Sequence, residues 1–335
     1  MQVRRDARLS DLTTLAVGGP IDRLVEVGTS AELVAAVQEA DEAGRPMLVL
    51  GGGSNVVAPD EGWPGDVVLV RSQGIERSGS ALTVQAGHDW DELVAFTVEN
   101  QLAGAEALSG IPGSTGATPI QNVGAYGQEV AQTITAVRVW DRAEKSERTL
   151  APADCGFAYR DSRLKREPGR FVVLEVTFEL HPGAESRPVT YAELARTLGV
   201  EIGATAPLSD VRRVVLELRR GKGMVWDPAD PDSRSAGSFF TNPIVAADRA
   251  VDGCPNWPAG DGLVKLSAAW LVQHAGFGRG TRDGNVGTSS RHSLALTTED
   301  GATAAELLAF ADRIVATARE QFGVTLEREP TAVRP

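Results

Sequence analysis

The chain has 335 residues, with 33 Lys and Arg against 45 Asp and Glu, and a formal net charge of -12. At about 100–200 residues per domain, this length predicts two or three domains, and the acidic balance argues against a nucleic-acid partner or an anionic-membrane surface. Hydrophobic residues at 42% and charged residues at 23% are typical of a globular chain and exclude disorder as its general state.

The pattern of residues 1–72 predicts a βαβ unit. Thr29 and Glu32 have the spacing of a capping box, and the residues after them form one apolar helical face. Short apolar runs at 47–50 and 67–70 have the length and composition of buried strands.

Residues 73–226 are expected to form an α+β region. Strand-like runs alternate with two helical patterns, one near 89–99 and one near 209–220. The predicted strands cover residues 82–85, 134–140 and 171–180.

A third region is predicted at 227–322, after a connection rich in Pro, Gly and Asp. It has an amphipathic helical pattern at 265–274 and a longer one that begins after a Thr303–Glu306 capping box. The tail VTLEREP is predicted to be a last strand, and residues 323–335 are assigned to the first unit.

The cysteines and histidines indicate neither a disulfide framework nor a metal site. Cys155 and Cys254 lie far apart, and none of the four histidines has a ligand spacing such as HExxH. The first residues, MQVRRDARLS, have no apolar stretch after their arginines, and no run of 18 uncharged apolar residues occurs. We therefore expect a cytoplasmic protein with no membrane partner, and a monomer.

Two glycine-rich segments are the clearest candidates for a ligand site. The first, GGGSNVV at 51–57, follows a buried strand and can direct successive backbone N–H groups at an anion, or it can be a tight turn only. It meets neither the Rossmann nor the Walker pattern. The second, at 109–127, is a long ordered loop or a structural Ω-loop. Two such loops suggest one ligand with a long polyphosphate axis, held from two sides.

Five further residues could carry chemistry, and the first three have a structural alternative. Arg160 suits a carboxylate or a developing enolate, or it pairs with Asp161. Ser238 precedes two phenylalanines without a GxSxG elbow, so it is a proton donor or part of a turn before core aromatics. Lys222 follows two arginines and could bind phosphate or lie at a solvated helix end, and the acid pair Glu327 and Glu329 stands near the C-terminus.

These segments together resemble one family, the UDP-N-acetylenolpyruvoylglucosamine reductases. The resemblance covers about residues 9–329, and PVTYAEL around Tyr191 looks like the longer type of the family, which has a tyrosine loop. The motifs that carry it are LTTLAVGGP (12–20), GGGSNVV (51–57), IPGSTGATPIQNVGAYG (111–127), YRDS (159–162), GSFFTNP (237–243) and VKLSAAWLVQ (264–273).

The resemblance implies a two-subdomain FAD-binding fold of the vanillyl-alcohol oxidase type plus a third α+β substrate domain. It implies NADPH as the reductant of FAD, and a UDP-sugar whose enolpyruvyl ether accepts hydride. It places FAD on both glycine loops, at Gly51, Gly52, Gly53, Ser54, Asn55, Val56, Gly113, Ser114, Gly116, Ala117, Thr118, Gln121, Asn122, Gly124, Ala125 and Gly127.

By position, the resemblance also implies three catalytic residues. Arg160 matches an enolate-stabilising arginine, Ser238 a proton donor, and Glu329 an acid that works with Arg160. The positions that match binding of the UDP-sugar are Tyr126, Tyr191, Arg219, Lys222, Asn242, Lys265 and His292.

One departure from the family pattern lies at the C-terminal acid. The family usually has Glu-Val-Arg there, and this chain has Glu329-Pro330-Thr331, which leaves open whether Glu327 or Glu329 is the operative acid. Arg328 and Arg334 are the only nearby basic residues. Two rival functions remain: a flavin oxidase of the same fold, and a sugar-nucleotide-binding regulator without chemistry.

Overall fold

The computed structural model describes residues 1–335. The first unit is built on a four-stranded sheet of order β1-β2-β5-β3, in which β2, β5 and β3 run parallel. Thr29 caps α1 by accepting a hydrogen bond from the Glu32 N–H. The elements are β1 (Gln2–Arg4), β2 (Ile21–Val27), α1 (Ser30–Glu42), β3 (Met47–Leu50), β4 (Val56–Val57) and β5 (Trp63–Val70).

The second unit has a five-stranded antiparallel sheet of order β12-β11-β13-β7-β6. Its strands and helices are β6 (Ile75–Ser78), β7 (Ala81–Gln85), α2 (Trp90–Glu99), β8 (Leu102–Ala103), β9 (Gly124–Ala125), β10 (Gln128–Glu129), β11 (Ile134–Asp141), β12 (Ser146–Leu150), α3 (Pro152–Cys155), α4 (Arg163–Arg166), β13 (Phe171–Glu179), β14 (His181–Pro182), α5 (Ala192–Leu198) and α6 (Leu208–Gly221).

The first two units share one hydrophobic core. Val37 of α1, Val68 of β5, Val84 of β7 and Val176 of β13 are all fully buried in the same cluster. The alternation of apolar residues in β7 and β13 directs one face of each strand to this cluster. The two sheets are therefore packed together through a shared set of buried side chains.

The third unit has two small antiparallel sheets, of order β15-β21-β20-β19 and β16-β18-β17, packed against α7 and α8. No helix of the structure, including the 19-residue α8, is long and apolar enough to cross a membrane. The elements are β15 (Ser235–Ser238), β16 (Ile244–Ala246), β17 (Asn256–Gly260), β18 (Leu263–Leu266), α7 (Ala268–His274), β19 (Arg282–Asp283), β20 (Val286–Thr288), β21 (Ala295–Thr298), α8 (Ala304–Phe322) and β22 (Thr331–Ala332).

Two predicted elements differ from the structure. The helix predicted from Lys265 begins only at Ala268, because Ser267 caps it and Lys265 lies on β18 opposite Ile244. The terminal strand predicted at 324–330 forms only an isolated bridge between Arg328 and Phe240, and the two-residue β22 that follows it pairs with β4 in parallel. The residues before β22 pack into the core of the third unit instead, and Pro330 has no N–H to donate to a sheet.

Candidate active site

The two glycine-rich segments lie against each other at the junction of the first two units. A Cβ placed on Gly52 would lie 2.6 Å from the Cα of Gly113, so neither loop has room for a side chain at this contact. The Ser54 hydroxyl donates to the Pro112 carbonyl oxygen at 2.8 Å and ties the loops together. Gly113 has φ +126°, a conformation that strongly favours glycine.

Both loops carry backbone donors with no partner in the protein. The N–H groups of residues 51–55, and those of Gly113 and Ser114, donate to no protein acceptor. Beside them, the buried Thr115 hydroxyl and both ring nitrogens of His88 also have no partner. Because successive N–H groups form a nest for anions, and the buried side-chain atoms of Thr115 and His88 beside them lack partners, the arrangement suits a phosphate-bearing ligand held by both loops.

Arg160 lies at the opening of this junction in a left-handed backbone conformation, with φ +54°. Its Nε is 3.3 Å from Oε1 of Glu329, and the two side chains are only 18% and 14% exposed. Its guanidinium also donates to the carbonyl oxygens of Asn122 and Gly124. The alternative pairing with Asp161 is wrong.

Asp161 forms its ion pair with Arg166 and not with Arg160. The two arginines therefore serve different acids, although both lie close to Asp161 in the sequence. This leaves the Arg160 guanidinium directed at the junction of the loops and the tail.

The C-terminal segment reaches Arg160 by pairing with residues 239–241, directly after β15, where Phe240 and Arg328 form an isolated antiparallel bridge. The Glu329 N–H donates to the Phe239 carbonyl oxygen at 2.9 Å, and the Thr241 N–H donates to the Glu327 carbonyl oxygen at 3.0 Å. Glu329 is thereby turned inward, whereas Glu327 is exposed. Burial raises the pKa of Glu329, and the Arg160 charge opposes that rise.

Ser238 ends β15, where it pairs with Ala295 of β21. The next two residues, Phe239 and Phe240, are fully buried and form an edge-to-face pair with ring centroids 5.4 Å apart. The buried aromatic residues that the structural alternative predicted are thus present. They fix the backbone next to the half-buried Ser238, and the carbonyl oxygen of Phe239, the following residue, accepts from the Glu329 N–H.

Tyr159, which was not among the predicted site residues, forms one wall beside Arg160. The Lys265 Nζ lies 4.0 Å from the centroid of its ring, and its hydroxyl accepts a hydrogen bond from the Asn242 N–H at 3.4 Å. Burial lowers the pKa of Lys265, and the Arg160 charge adds to this effect. The Asn242 side chain accepts from the Ala268 N–H at 2.9 Å and so caps α7. The sequence signal for Tyr159 was its place directly before Arg160.

A second cluster gathers other predicted substrate residues. Tyr126 and Tyr191 meet edge to face at 5.3 Å, and the Lys222 Nζ lies 5.7 Å from the Tyr126 ring centroid. Burial raises the pKa of Tyr126 to about 12. Burial, followed by the Lys222 charge, lowers the pKa of His292 to about 4, so His292 is neutral at pH 7. Lys222 is bound by Glu193, at 2.6 Å, a residue that sequence reasoning did not single out.

Two predicted ligand residues have side chains already engaged in the protein. The buried Arg219 donates to the carbonyl oxygens of Gly110 (3.1 Å) and Met224 (2.7 Å). The Asn122 side chain bonds the Glu129 carboxylate (2.8 Å) and two backbone groups. Their roles as substrate and cofactor ligands stay predictions, and the structure gives each a supporting position.

Comparisons with known proteins agree with this geometry. Residues 228–333 match the model of the UDP-N-acetylenolpyruvoylglucosamine reductase C-terminal domain, and residues 21–149 match that of an FAD binding domain. The UDP-N-acetylenolpyruvoylglucosamine reductase of Thermobifida fusca is 51% identical over 98% of this chain and 97% of its own. That of Streptomyces coelicolor is 50% identical over 99% of this chain and 91% of its own. The chain belongs to the UDP-N-acetylenolpyruvoylglucosamine reductase family.

A solved reductase of the family, from Thermus caldophilus, has the same architecture, with a TM-score of 0.69 and 27% identity over 99% of both chains. This confirms the predicted two-subdomain FAD-binding fold with a third α+β unit. The chain is an FAD-dependent oxidoreductase of peptidoglycan precursor synthesis. The free N–H groups of the two loops would suit the pyrophosphate of FAD, and the assignment of both loops as phosphate nests stays a prediction. The bounds of the three units at 72, 226 and 322 stay predictions.

Proposed function

We propose that the enzyme uses NADPH to reduce the enolpyruvyl ether of UDP-N-acetylglucosamine enolpyruvate, which yields UDP-N-acetylmuramate. The observation that carries the proposal is the half-buried Arg160–Glu329 pair, placed where the two glycine loops, the Ser238 strand and the C-terminal segment meet. FAD, when bound, supplies the hydride that adds to the terminal carbon of the enolpyruvyl group.

Arg160 is assigned the role of stabilising the negative charge that develops during this addition. As the terminal carbon gains hydride, negative charge spreads onto the substrate carboxylate, and a fixed guanidinium meets it without reorganisation. One preorganised group of this kind contributes about 3–4 kcal/mol to barrier lowering. The carbonyl oxygens of Asn122 and Gly124 and the Glu329 carboxylate hold the guanidinium in a single orientation.

Ser238 is assigned the role of proton donor. After hydride addition, the carbon that bears the ether oxygen carries part of the negative charge and is strongly basic, so even a hydroxyl can protonate it when it is held in place. The buried phenylalanine pair fixes the backbone of β15 at this position. The serine oxygen is left as an alkoxide that solvent reprotonates after turnover.

Glu329, not Glu327, is assigned as the acid that works with Arg160. Its carboxylate lies against the guanidinium, and burial raises its pKa, so a larger fraction carries a proton near neutrality than for an exposed glutamate. In that form it can donate a hydrogen bond to the substrate carboxylate. Glu327 is exposed and has no place at the junction.

The UDP moiety is assigned to the Tyr126–Tyr191–Lys222 cluster. Two tyrosine rings and an ammonium group offer a stacking surface and a charge for a diphosphate. His292 lies in the same cluster as a neutral donor or acceptor. Lys265 and Asn242 border the cleft on the Arg160 side.

Half-reaction kinetics test the proposal. Under anaerobic conditions, NADPH should bleach the flavin absorbance, and the enolpyruvyl UDP-sugar should then restore it with formation of one UDP-N-acetylmuramate per flavin. NADH in place of NADPH measures the nicotinamide preference. A flavin that oxygen reoxidises rapidly and the UDP-sugar leaves reduced would indicate the oxidase instead. Bound UDP-sugar with no NADPH consumption would indicate a binding protein.

A further inference from the structure

The Glu329 carboxylate receives donors from only two side chains. One is Arg160, and the other is Gln121, whose Nε2 lies 3.4 Å from Oε1 of Glu329. Gln121 is half-buried on the second glycine-rich segment, where the resemblance implied contact with the cofactor. The structure turns its amide toward the C-terminal acid.

Gln121 is itself oriented by the first glycine-rich segment. The Asn55 Nδ2 donates to Oε1 of Gln121 and approaches the backbone oxygen of Glu329 at 3.4 Å. With its oxygen engaged in this way, the Gln121 amide can present only its NH₂ group to the acid. The Asn55 carbonyl oxygen meanwhile accepts from the Thr331 N–H at 3.0 Å. Asn55 thus contacts the second loop, the Glu329 backbone and the backbone two residues after it.

We propose that Asn55 and Gln121 are positioning residues that hold the Glu329 carboxylate against Arg160, so that the loops which carry the cofactor also fix the acid. The inference rests on the proposed function for its catalytic consequence. Its structural part concerns contacts within the chain and is testable without substrate.

A neutral donor suits this position. A second cation beside Glu329 would strongly favour the ionised carboxylate. An amide holds the carboxylate in place and favours its ionised form less. Thr331 stands where the family pattern has an arginine, and the side chain that contacts Glu329 beside Arg160 is the Gln121 amide. Replacing Gln121 by an apolar side chain removes a donor to the ionised form, and the pKa of Glu329 should therefore rise.

The direct test is a carbon-13 NMR titration of the holoenzyme labelled at the glutamate carboxyl groups, with the Glu329 resonance assigned by its loss in Glu329→Gln. In Gln121→Leu the titration midpoint of Glu329 should rise by about 0.5–1 pH unit. Gln121→Glu, which preserves the shape and adds a like charge, should raise it further. The charged and titratable groups that face Glu329 are Arg160, Lys165 and Tyr159, and all three are kept in both variants.

The matched control is Gln273→Leu, at an exposed position on α7, which should leave the midpoint unchanged. In the substrate half-reaction, Gln121→Leu should slow flavin reoxidation roughly ten-fold and move the pH profile in the same direction. In the Glu329→Gln background it should add no further loss. The NADPH half-reaction should be slowed less than the substrate half-reaction.

Two results would overturn the inference. One is an unchanged Glu329 midpoint in both Gln121 variants. The other is a loss of flavin affinity with a wild-type titration, which would make Gln121 a cofactor ligand only. If the UDP-sugar fails to reoxidise the wild-type flavin, the proposed function fails, and the titration still decides the positioning role.

Discussion

Replacing Glu329 by Gln separates the chemistry of the carboxylate from its shape. At 3.3 Å and an effective dielectric constant of about 20, the attraction between the two unit charges is about 5 kcal/mol before desolvation is subtracted. Arg160 keeps its two backbone acceptors in the variant, so the loss of folding free energy should be modest, about 1–3 kcal/mol. The transition state loses an oriented electrostatic group, which costs about 2.7–4 kcal/mol, or roughly 10²–10³-fold in rate.

The assay is stopped-flow reoxidation of the reduced flavin by the UDP-sugar, with the NADPH half-reaction measured on the same preparation. Glu329→Gln should slow the first and spare the second. The matched control is Glu327→Gln, an exposed position where an isosteric change should alter stability by less than about 0.5 kcal/mol and leave both half-reactions intact. A Glu327→Gln defect as large as that of Glu329→Gln, or a normal Glu329→Gln enzyme, would show that the assignment of the acid is mistaken.

The other predictions concern the proton donor, the diphosphate cluster and acid stability. Ser238→Ala should leave NADPH reduction of the flavin intact and slow substrate reduction by several orders of magnitude; an equal loss in both half-reactions would exclude the proton-donor role. Lys222→Ala should mainly raise KM for the UDP-sugar, whereas Glu193→Gln, which frees the ammonium group, should lower it with little change in kcat; a raised KM in Glu193→Gln would count against competition between the carboxylate and the diphosphate. Arg170 lowers the pKa of Asp141 to about 2, so the carboxylate stabilises the fold above its unfolded pKa of about 4 and this contribution is lost as the pH falls toward 2. Asp141→Asn should therefore lower Tm at pH 7, with the difference from wild type shrinking below pH 4 in a melting series.

Much of the fold was predictable because local patterns and global packing agree. The α1 and α8 helices begin at Thr29 and Thr303 as their capping patterns predict, and α8 ends at Gly323 in a left-handed conformation. The alternation in β7, β11 and β13 gave their positions to within one or two residues. The two glycine-rich segments were predictable as ordered loops because their composition is too rich in glycine for a regular element, and their role as ligand loops stays a prediction.

The contacts within the site were not predictable from local sequence. The Arg160–Glu329 pair depends on how the C-terminal segment pairs with residues 239–241, directly after β15, and no local periodicity encodes that register. The same holds for Glu193, whose place beside Lys222 follows from the packing of α5 against α6. Arg219 shows the converse, since its residue type suggested a ligand role but its guanidinium serves two backbone carbonyls.

The departure from the family pattern at Pro330 and Thr331 was the only sequence feature that favoured a binding protein without chemistry. In the structure this departure does not displace Glu329 from Arg160. The backbone on either side of Glu329 is fixed, by the Glu329 N–H on the Phe239 carbonyl oxygen and by the Thr331 N–H on the Asn55 carbonyl oxygen. Pro330 between them is buried and has a restricted φ, which lowers the entropy cost of ordering the segment. Position 331 contributes through its backbone while its side chain is exposed, so the acid keeps its place at Arg160 without the family's usual arginine.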